Sequence, residues 1–388
     1  MRIKDLSECR ILIVDDVKAN VDMLVEALHD EYKLSVALDG GNALKQAEKN
    51  PPDLVLLDIV MPGIDGYEVC RRLRESEQTR EIPIMFLSSL EDVQDKARGF
   101  EMGGNDYLTK PFEMLEVKAR VRSLLKAKAY ADAVREAMER DLSIAREIQM
   151  GILPADFSPC TDGTGLDIFA MMEPAKQVGG DLYEVLRVDD DHVVVVIGDV
   201  SGKGIPAALF MAVTVTLVRS MARQLLRPEE ILSRLNDELA AQNPRGMFVT
   251  VACLVIDLRT GRITGASAGH NALLLVRPTG ALQPVFPSSG MVAGLFPDRP
   301  ITSESLQLKA GDTLVMFTDG VTDAANPDQE SFGDDRLMDC LANDLKGSAR
   351  DTVEKVAGAV RAFSAGAPQF DDITILAVRY APEGRSAD

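Results

Sequence analysis

The sequence predicts an α/β doubly wound domain with a parallel five-stranded sheet, then a long coiled-coil helix, then an α+β domain with layered α-β-β-α architecture. Three observations support this division. Short apolar runs alternate with helical patterns over residues 10–110. A heptad pattern of apolar residues extends from Leu124 to Ile152. Strand patterns with a few helices dominate residues 165–380.

The N-terminal part contains apolar runs that are typical of buried strands: Ile11–Val14, Leu34–Ala37, Leu54–Leu57, Ile84–Leu87 and Asp106–Leu108. Helical patterns lie between them, near residues 18–29, 41–49, 66–75 and 92–102. Continuous apolar strands separated by helices indicate a parallel sheet that is covered on both faces. Ligands bind such a sheet at the carboxyl ends of its strands.

Residues 113–152 predict one long helix, which Pro154 ends. Its apolar residues recur at heptad spacing and form a seam: Leu124, Ala127, Ala131, Val134, Met138, Ala145, Ile148 and Ile152. We expect this seam to join two copies of the chain as a homodimer. The alternative is a solvated spacer whose apolar stripe packs on its own domain.

The C-terminal part predicts a layered fold of mostly antiparallel strands. The strand patterns are Leu166–Met172, His192–Ile197, Phe248–Asp257, Arg262–Ala268, Ala272–Val276, Thr313–Phe317 and Ile373–Val378. The helical patterns cover residues 205–223, 228–241, 334–345 and 350–363.

Composition excludes several classes of partner. The 388 residues include 42 Lys and Arg against 61 Asp and Glu, for a net charge of −19. An acidic chain without a basic segment disfavours binding to nucleic acid or to an anionic membrane. The five cysteines are scattered and lack C-x-x-C spacing, which favours a reducing cytoplasm and no zinc site. The longest apolar stretch, Ala207–Val218, is too short to span a bilayer.

Acidic residues follow strands at one edge of the predicted parallel sheet. Asp15 and Asp16 follow the first strand, and Asp58 ends the third. Ser88 ends the fourth strand, and Lys110 follows the fifth. Three carboxylates repel one another unless a hard cation joins them, and Mg²⁺ takes such oxygen ligands. A carboxylate beside Mg²⁺ and lysine can act as the nucleophile in phosphoryl transfer.

The motifs ILIVDD, LVLLDIVMPGIDGYEV, FLSS and DYLTKPF closely resemble the response-regulator receiver domain, over residues 9–125. The resemblance implies that a sensor histidine kinase or another phosphodonor phosphorylates Asp58, with Lys110 contacting the phosphoryl group. The Mg²⁺ ligands that it implies are Asp15, Asp16, Asp58 and the carbonyl of Val60. It also implies that Ser88 and Tyr107 are switch residues. The alternative for Tyr107 is an aromatic residue that only packs.

In the C-terminal part, aspartates lie beside glycines at strand ends. The stretches are VGGD at 178–181, GDVSGKG at 198–204, TDG at 318–320 and DDIT at 371–374. Glycine permits a close backbone approach, so a carbonyl can also face a metal. Oxygen ligands without Cys or His favour Mg²⁺ or Mn²⁺. Several such carboxylates suit a two-metal site that activates water for attack on phosphorus.

The motifs EPAKQVGGDLYEV, IGDVSGKGIPAALFM, SAGHNALLL, MFTDGVTDAAN, FGDDRL and FDDITILAVRY resemble the SpoIIE/RsbU branch of metal-dependent, PPM-type Ser/Thr protein phosphatases, over about residues 142–380. AREIQMGILP resembles the regulatory lead-in of that branch. The resemblance implies two Mn²⁺ or Mg²⁺ ions bridged by Asp199, with the Val200 carbonyl beside it. It assigns the rest of the catalytic set to Asp181, Asp319 and Asp372.

Two residues near these motifs have open roles. Glu184 stands where the phosphatase branch often has aspartate, so its contribution to the site is in doubt. His270 is either a contact to substrate or water, or a buried histidine that is hydrogen-bonded to a turn.

These observations predict a cytoplasmic two-component response regulator whose output is a Ser/Thr protein phosphatase controlled by Asp58. The resemblance implies a phosphorylated anti-sigma-factor antagonist as substrate. The expected parts are a receiver at 1–125, a helical linker at 113–153, a phosphatase domain at 154–381 and a flexible tail at 382–388. The alternative function is a non-catalytic adaptor that binds a sigma factor or its regulator, and degenerate metal aspartates would mark it.

Overall fold

The computed structural model describes residues 5–88, 99–241, 243–288, 290–342 and 347–382. The chain divides into two compact units, residues 1–141 and residues 142–388. We call them the N-terminal unit and the C-terminal unit. The division falls inside a long helix, and the finer domain boundaries given above stay predictions.

The N-terminal unit contains the predicted parallel sheet. Its strands are β1 (Arg10–Val14), β2 (Lys33–Ala37), β3 (Leu54–Asp58), β4 (Ile84–Ser88) and β5 (Asp106–Thr109). They pair in the order β2-β1-β3-β4-β5, and every pair is parallel. This confirms the doubly wound prediction. The order reverses between β1 and β3, so the carboxyl ends of these two strands lie side by side at the point where such sheets bind ligands.

Helices cover both faces of this sheet. They are α1 (Lys18–Leu28), α2 (Gly40–Lys49) and α3 (Gly66–Glu75). The side chains of Asp39 and Asp65 accept hydrogen bonds from the first turns of α2 and α3, which satisfies amides that have no partner within the helix. The helix predicted near 92–102 lies mostly outside the described residues.

A long helix, α4 (Met114–Ile152), follows the sheet, as predicted. One of its faces is buried in the N-terminal unit through Val117, Val121 and Leu125. The heptad seam lies on a different face, where Val134 is 44% exposed and Met138 is 59% exposed. The seam is therefore exposed at these two residues, whereas Leu124 and Ile152 near its ends pack against the cores of their own units.

The C-terminal unit is built from two antiparallel sheets, which confirms the predicted α-β-β-α class. One sheet has the order β13-β10-β9-β8-β7 and the other has the order β12-β11-β14-β15-β6. The strands are β6 (Leu166–Glu173), β7 (Leu182–Arg187), β8 (His192–Val200), β9 (Val249–Asp257), β10 (Arg262–Ala268), β11 (Leu273–Val276), β12 (Leu282–Val285), β13 (Ser303–Gln307), β14 (Thr313–Phe317) and β15 (Ile373–Tyr380). A shared core joins the two sheets.

The outer layers of the C-terminal unit are helical. After a short helix, α5 (Ser158–Thr161), the chain forms α6 (Ile205–Ala222), α7 (Pro228–Ala241), α8 (Gly333–Ala342) and α9 (Ala349–Ser364). Helices α6 and α7 pack together and cover the sheet that contains β7–β10. Helices α8 and α9 cover the other sheet, where α9 contacts β6 and β15.

Helix α6 is long and apolar enough to cross a membrane by length and composition alone. It is longer than the apolar stretch identified in the sequence. One side of it is nevertheless buried in the C-terminal unit, through Ala207, Met211, Val215 and Val218. A core helix passes the same composition test, so the helix is explained by its packing on β7 and β8.

Three strands were not predicted. Strands β12 and β13 lie at sheet edges, and their residues are largely polar or exposed. Pro284 in β12 is tolerated because an edge strand leaves one row of backbone groups unpaired. Strand β7 follows directly on the VGGD stretch. The remaining predicted strands of the C-terminal part match observed strands to within a few residues.

Candidate functional site

The N-terminal unit brings three carboxylates together at the carboxyl edge of its sheet. One oxygen each from Asp15, Asp16 and Asp58 lies within 4.8 Å of the other two. The Nζ of Lys110 donates to Asp15 Oδ2 at 2.7 Å and to Asp58 Oδ2 at 2.8 Å. The predicted acidic group and its lysine are therefore neighbours in space.

Because these carboxylates are buried, keeping all of them charged costs free energy. Asp15 is fully buried and Asp58 is 5% exposed. Burial raises the pKa of Asp58, and the hydrogen bond from Lys110 opposes that rise. Burial acts to lower the pKa of Lys110, but hydrogen bonds to Asp15 and Asp58 outweigh it and the pKa is raised. A hard divalent cation would add the positive charge that three carboxylates with one lysine lack.

The predicted switch residues lie beside this edge. Ser88 ends β4 and is buried. Tyr107 is 8% exposed, and its hydroxyl is 3.1 Å from the hydroxyl of Tyr67. Its ring centroid lies 5.2 Å from that of Phe86. Tyr107 therefore packs in an aromatic cluster, and its switching role stays a prediction. The backbone of Val60 hydrogen-bonds to Asp58, so Val60 lies at the predicted site.

The fold of the C-terminal unit gathers the four aspartate stretches at one edge. Asp181 precedes β7, and Asp199 lies near the end of β8, which pairs antiparallel with β7. Asp319 follows β14, and the Asp371–Asp372 pair precedes β15, which pairs antiparallel with β14. Antiparallel pairing places the end of one strand beside the start of its neighbour.

Asp181 is the most deeply buried of these residues, at 1% exposure. Its Oδ2 accepts hydrogen bonds from Thr318 Oγ1 at 2.8 Å and from Thr374 Oγ1 at 2.6 Å. Burial and the charge of Asp199 raise the pKa of Asp181 well above its usual range, although the two threonines oppose the rise. The threonines hold one carboxylate oxygen in place and thereby orient the other.

Asp199 is the electrostatic centre of the cluster. Burial, together with the charges of Asp319, Asp371 and Asp372, raises the pKa of Asp199 to about 7. A hydrogen bond with Asp181 acts in the opposite direction. Burial and the charge of Asp371 likewise raise the pKa of Asp319. Carboxylates that repel one another this strongly are stabilised when a cation binds between them.

Asp371 and Asp372 have different surroundings. Both carboxylate oxygens of Asp372 accept backbone amides, from Ala175 at 2.8 Å and from Gly180 at 2.6 Å. Asp371 contributes charge to both Asp199 and Asp319, while Asp372 contributes charge to Asp181 and Asp199. The sequence predicted Asp372 as a ligand and did not single out Asp371, the adjacent residue. Asp372 as a direct ligand stays a prediction.

Glycines make the close approaches of this cluster possible. A Cβ on Gly179 would lie 2.1 Å from Asp372 Oδ2, and a Cβ on Gly180 would lie 2.7 Å from the Val200 carbonyl oxygen. A Cβ on Gly320 would lie 1.9 Å from the Asp372 carbonyl oxygen. Any larger residue at these three positions would push the loops apart.

Lys203 brings positive charge to the edge of the cluster. Its Nζ lies 3.0 Å from Asp371 Oδ2 and 3.7 Å from the ring centroid of Phe370, which is 74% exposed. From its sequence, the loop that contains Lys203 is recognisable only as a glycine-rich turn. The sequence feature that could have identified Lys203 as part of the site is its position four residues after Asp199.

The two open residues lie outside the cluster. Glu184 is 3% exposed and pairs with Arg219, whose Nε lies 2.8 Å from Glu184 Oε2. Burial raises the pKa of Glu184, and Arg219 opposes the rise. His270 is 4% exposed, its Nδ1 lies 3.2 Å from Thr250 Oγ1, and burial lowers its pKa to about 4. This geometry favours the interpretation of His270 as a buried, neutral histidine.

The donor set fits divalent cations. The five carboxylates offer only oxygen, and the VGGD glycine leaves room beside the Val200 carbonyl. Within the described residues, the only carboxylate trio with one oxygen of each residue within 4.8 Å of the others is that of the N-terminal unit, so the C-terminal carboxylates are not grouped that closely.

Known sequences resemble this chain in two separate regions. The family described as "Response regulator receiver domain" matches residues 11–122, and the family described as "Stage II sporulation protein E (SpoIIE)" matches residues 189–381. Response regulator PleD of Caulobacter vibrioides is 44% identical over 169 residues, which are 43% of this chain and 36% of PleD. Protein IcfG of Synechocystis is 29% identical over 290 residues, which are 68% of this chain and 44% of IcfG. The chain thus spans less than half the length of either curated relative.

Solved structures resemble the C-terminal unit. The SiaA-PP2C domain of Pseudomonas aeruginosa matches with a TM-score of 0.58 and 23% identity, covering 64% of this chain and 99% of that domain. The PP2C domain of SpoIIE from Bacillus subtilis matches with a TM-score of 0.50 and 20% identity, covering 55% of this chain and 63% of that structure. These likenesses show the fold. The two family matches show that the chain joins a response-regulator receiver domain, at residues 11–122, to a domain of the SpoIIE family, at residues 189–381.

Proposed function

We propose that this protein is a response regulator whose output is a metal-dependent Ser/Thr protein phosphatase. The observation that carries the proposal is that Asp181 and Asp199 from one sheet interact electrostatically with Asp319 and Asp371 from the other, with the pKa of Asp199 raised to about 7. A cluster of mutually repelling carboxylates beside glycine-lined loops is costly to a fold unless it binds cations. This favours the enzyme over the adaptor, whose metal aspartates would be degenerate.

The residues of the proposed site have different roles. Asp199 and the Val200 carbonyl lie at its centre, and Asp181, Asp319 and Asp371 surround them. Two bound Mn²⁺ or Mg²⁺ ions would supply activation of a water molecule for in-line attack on phosphorus. Thr318 and Thr374 keep Asp181 oriented. Lys203, at the open edge, is placed to attract a phosphorylated side chain by its charge.

The proposed substrate is a phosphoserine or phosphothreonine on an anti-sigma-factor antagonist. The support is the set of motifs shared with the SpoIIE/RsbU branch, from VGGD to FDDIT. The proposed location is the cytoplasm, where the five free cysteines would stay reduced.

The proposed input is phosphorylation of Asp58 by a sensor histidine kinase or another phosphodonor, with Mg²⁺ held by Asp15, Asp16, Asp58 and the Val60 carbonyl. Lys110 already contacts the accepting carboxylate. The long helix α4 belongs to both units and gives the change at Asp58 a covalent route to the C-terminal unit. A homodimer through the heptad seam is part of this proposal.

Replacing Asp199 with asparagine should abolish hydrolysis. The Asp199→Asn chain loses the carboxylate at the centre of the site, so we expect at least about a 100-fold fall in kcat with Mn²⁺ and p-nitrophenyl phosphate. Asp190→Asn, an exposed aspartate in the β7–β8 turn, is the matched control. Equal rates for wild type and Asp199→Asn would end the phosphatase proposal.

Substitutions at the two adjacent aspartates should have different effects: one should weaken metal binding and the other should lower folding stability. Asp371→Asn should raise the Mn²⁺ concentration for half-maximal hydrolysis and should not lower the metal-free melting temperature, because it removes one of the repelling charges. Asp372→Asn should lower the metal-free stability by about 1–3 kcal/mol, because an amide nitrogen cannot accept the second backbone N–H. Thermal melts in a chelator and Mn²⁺ titrations test both. An unchanged Mn²⁺ requirement in Asp371→Asn would remove this residue from the ligand set.

Phosphorylation at Asp58 should change the phosphatase rate. We expect the hydrolysis of a phosphorylated antagonist protein by wild type to respond to acetyl phosphate, because the small-molecule donor modifies the receiver carboxylate. Asp58→Ala should abolish the response, and the exposed control Asp22→Asn should preserve it. If the rate is insensitive to the donor in wild type, receiver control is absent while the enzyme proposal stands.

Charge in the heptad seam should dissociate the dimer. Val134→Glu with Met138→Glu places carboxylates at exposed seam positions, where they would face each other across two helices. We expect a halved mass by light scattering. Ser143→Glu adds charge on the same helix outside the seam and should leave the mass unchanged. A monomeric wild type would contradict the dimer.

A further inference from the structure

The last turns of α4 carry one buried polar side chain that the proposed chemistry does not use. Gln149 is 4% exposed, while its neighbours Glu147 and Ile148 are exposed. Its Nε2 donates to the Gly179 carbonyl at 2.6 Å, and its Oε1 accepts from the Gly179 amide at 3.1 Å. One side-chain amide thus satisfies both backbone groups of a single residue. Such a closed pair fixes the position of that residue more tightly than one hydrogen bond would.

Gly179 is itself joined to the aspartate cluster. The next amide along the chain, that of Gly180, donates to Asp372 Oδ2 at 2.6 Å. Asp181 follows immediately. The Asp372 carboxylate lies so close to Gly179 that a Cβ there would be 2.1 Å from Asp372 Oδ2. A shift of Gly179 must therefore move Asp372, Asp181 or both.

A second contact fixes the end of the helix that carries Gln149. The guanidinium of Arg219, on α6, donates from Nη2 to the carbonyl of Ile152 at 2.8 Å. The same group pairs with Glu184 at the start of the neighbouring strand β7. A cation at a helix C-terminus satisfies an unpaired carbonyl and interacts favourably with the helix dipole. The helix end is thus anchored to α6 and β7, and its rotation determines where the Gln149 amide lies.

We infer that Gln149 is a positioning residue for the cation site of the C-terminal unit. Its amide holds the VGGD loop so that Asp181 and Asp372 face the cluster, and withdrawal of the helix end loosens the loop and weakens metal binding. This inference rests on the proposed function and names the contact through which α4 acts on it. A purely structural role would predict lost stability with unchanged metal affinity.

Calorimetric titration of the full chain with Mn²⁺ tests this directly. Gln149→Leu keeps the size of the side chain and removes both hydrogen bonds. We expect the Kd of the C-terminal sites to rise about tenfold, while the cation site at Asp15, Asp16 and Asp58 keeps its wild-type Kd in the same titration. Hydrolysis at saturating Mn²⁺ should stay within about twofold of wild type. Glu147→Gln, an exposed change on the same turn, should match wild type throughout.

A second variant tests the inference in case Gln149→Leu does not fold. Gln149→Glu keeps an acceptor for the Gly179 amide but sets a carboxylate against the Gly179 carbonyl, so it should also weaken Mn²⁺ binding. An unchanged Kd in either folded variant, with only the melting temperature lowered, would overturn the positioning role. If wild type binds Mn²⁺ only at the N-terminal site, the proposed function fails and this inference fails with it. Normal wild-type binding with unaffected variants removes the inference alone.

Discussion

Repulsion between carboxylates is the constraint on which the C-terminal unit depends. Asp181, Asp199, Asp319 and Asp371 share one edge, and burial adds to the cost of their charges. Neutral dipoles can lower this cost by fixing individual carboxylates of the group and of the adjacent Asp372. Here the dipoles are two threonine hydroxyls on Asp181 and two backbone amides on Asp372. Because the dipoles come from loops, the glycines that let those loops approach are as necessary as the acids.

The N-terminal unit meets the same constraint differently. Its three carboxylates are fewer, and Lys110 supplies a permanent cation that bonds to two of them. Asp15 is held further by the amide of Asn20. Since one positive charge is built into the site, one divalent ion completes it. In the N-terminal unit the lysine bonds to two of the three carboxylates, whereas in the C-terminal cluster Lys203 pairs with Asp371 at the edge.

Much of the fold followed from sequence because the signals were local. Continuous apolar runs and heptad spacing are properties of short windows, so the parallel sheet and α4 were placed correctly. Strands β12 and β13 were missed because edge strands do not need apolar faces. The candidate acids were found by their glycine neighbours. The different surroundings of Asp371 and Asp372 could not be predicted from sequence, since Asp372 accepts the amides of Ala175 and Gly180, almost two hundred residues away.

Gln149 shows most clearly what sequence patterns leave out. In the linear chain it is one polar residue among charged ones, and its helical position predicts solvent exposure as readily as burial. Its partner lies thirty residues away in a loop whose path is set by two glycines. The same helix carries an exposed apolar seam, with Ile148 beside Gln149 and 63% exposed. A seam that pairs with a second helix fixes the rotation of α4, and that rotation decides whether the next residue reaches Gly179. In the proposed dimer, association through Ile148 and positioning through Gln149 would therefore be coupled within one helical turn.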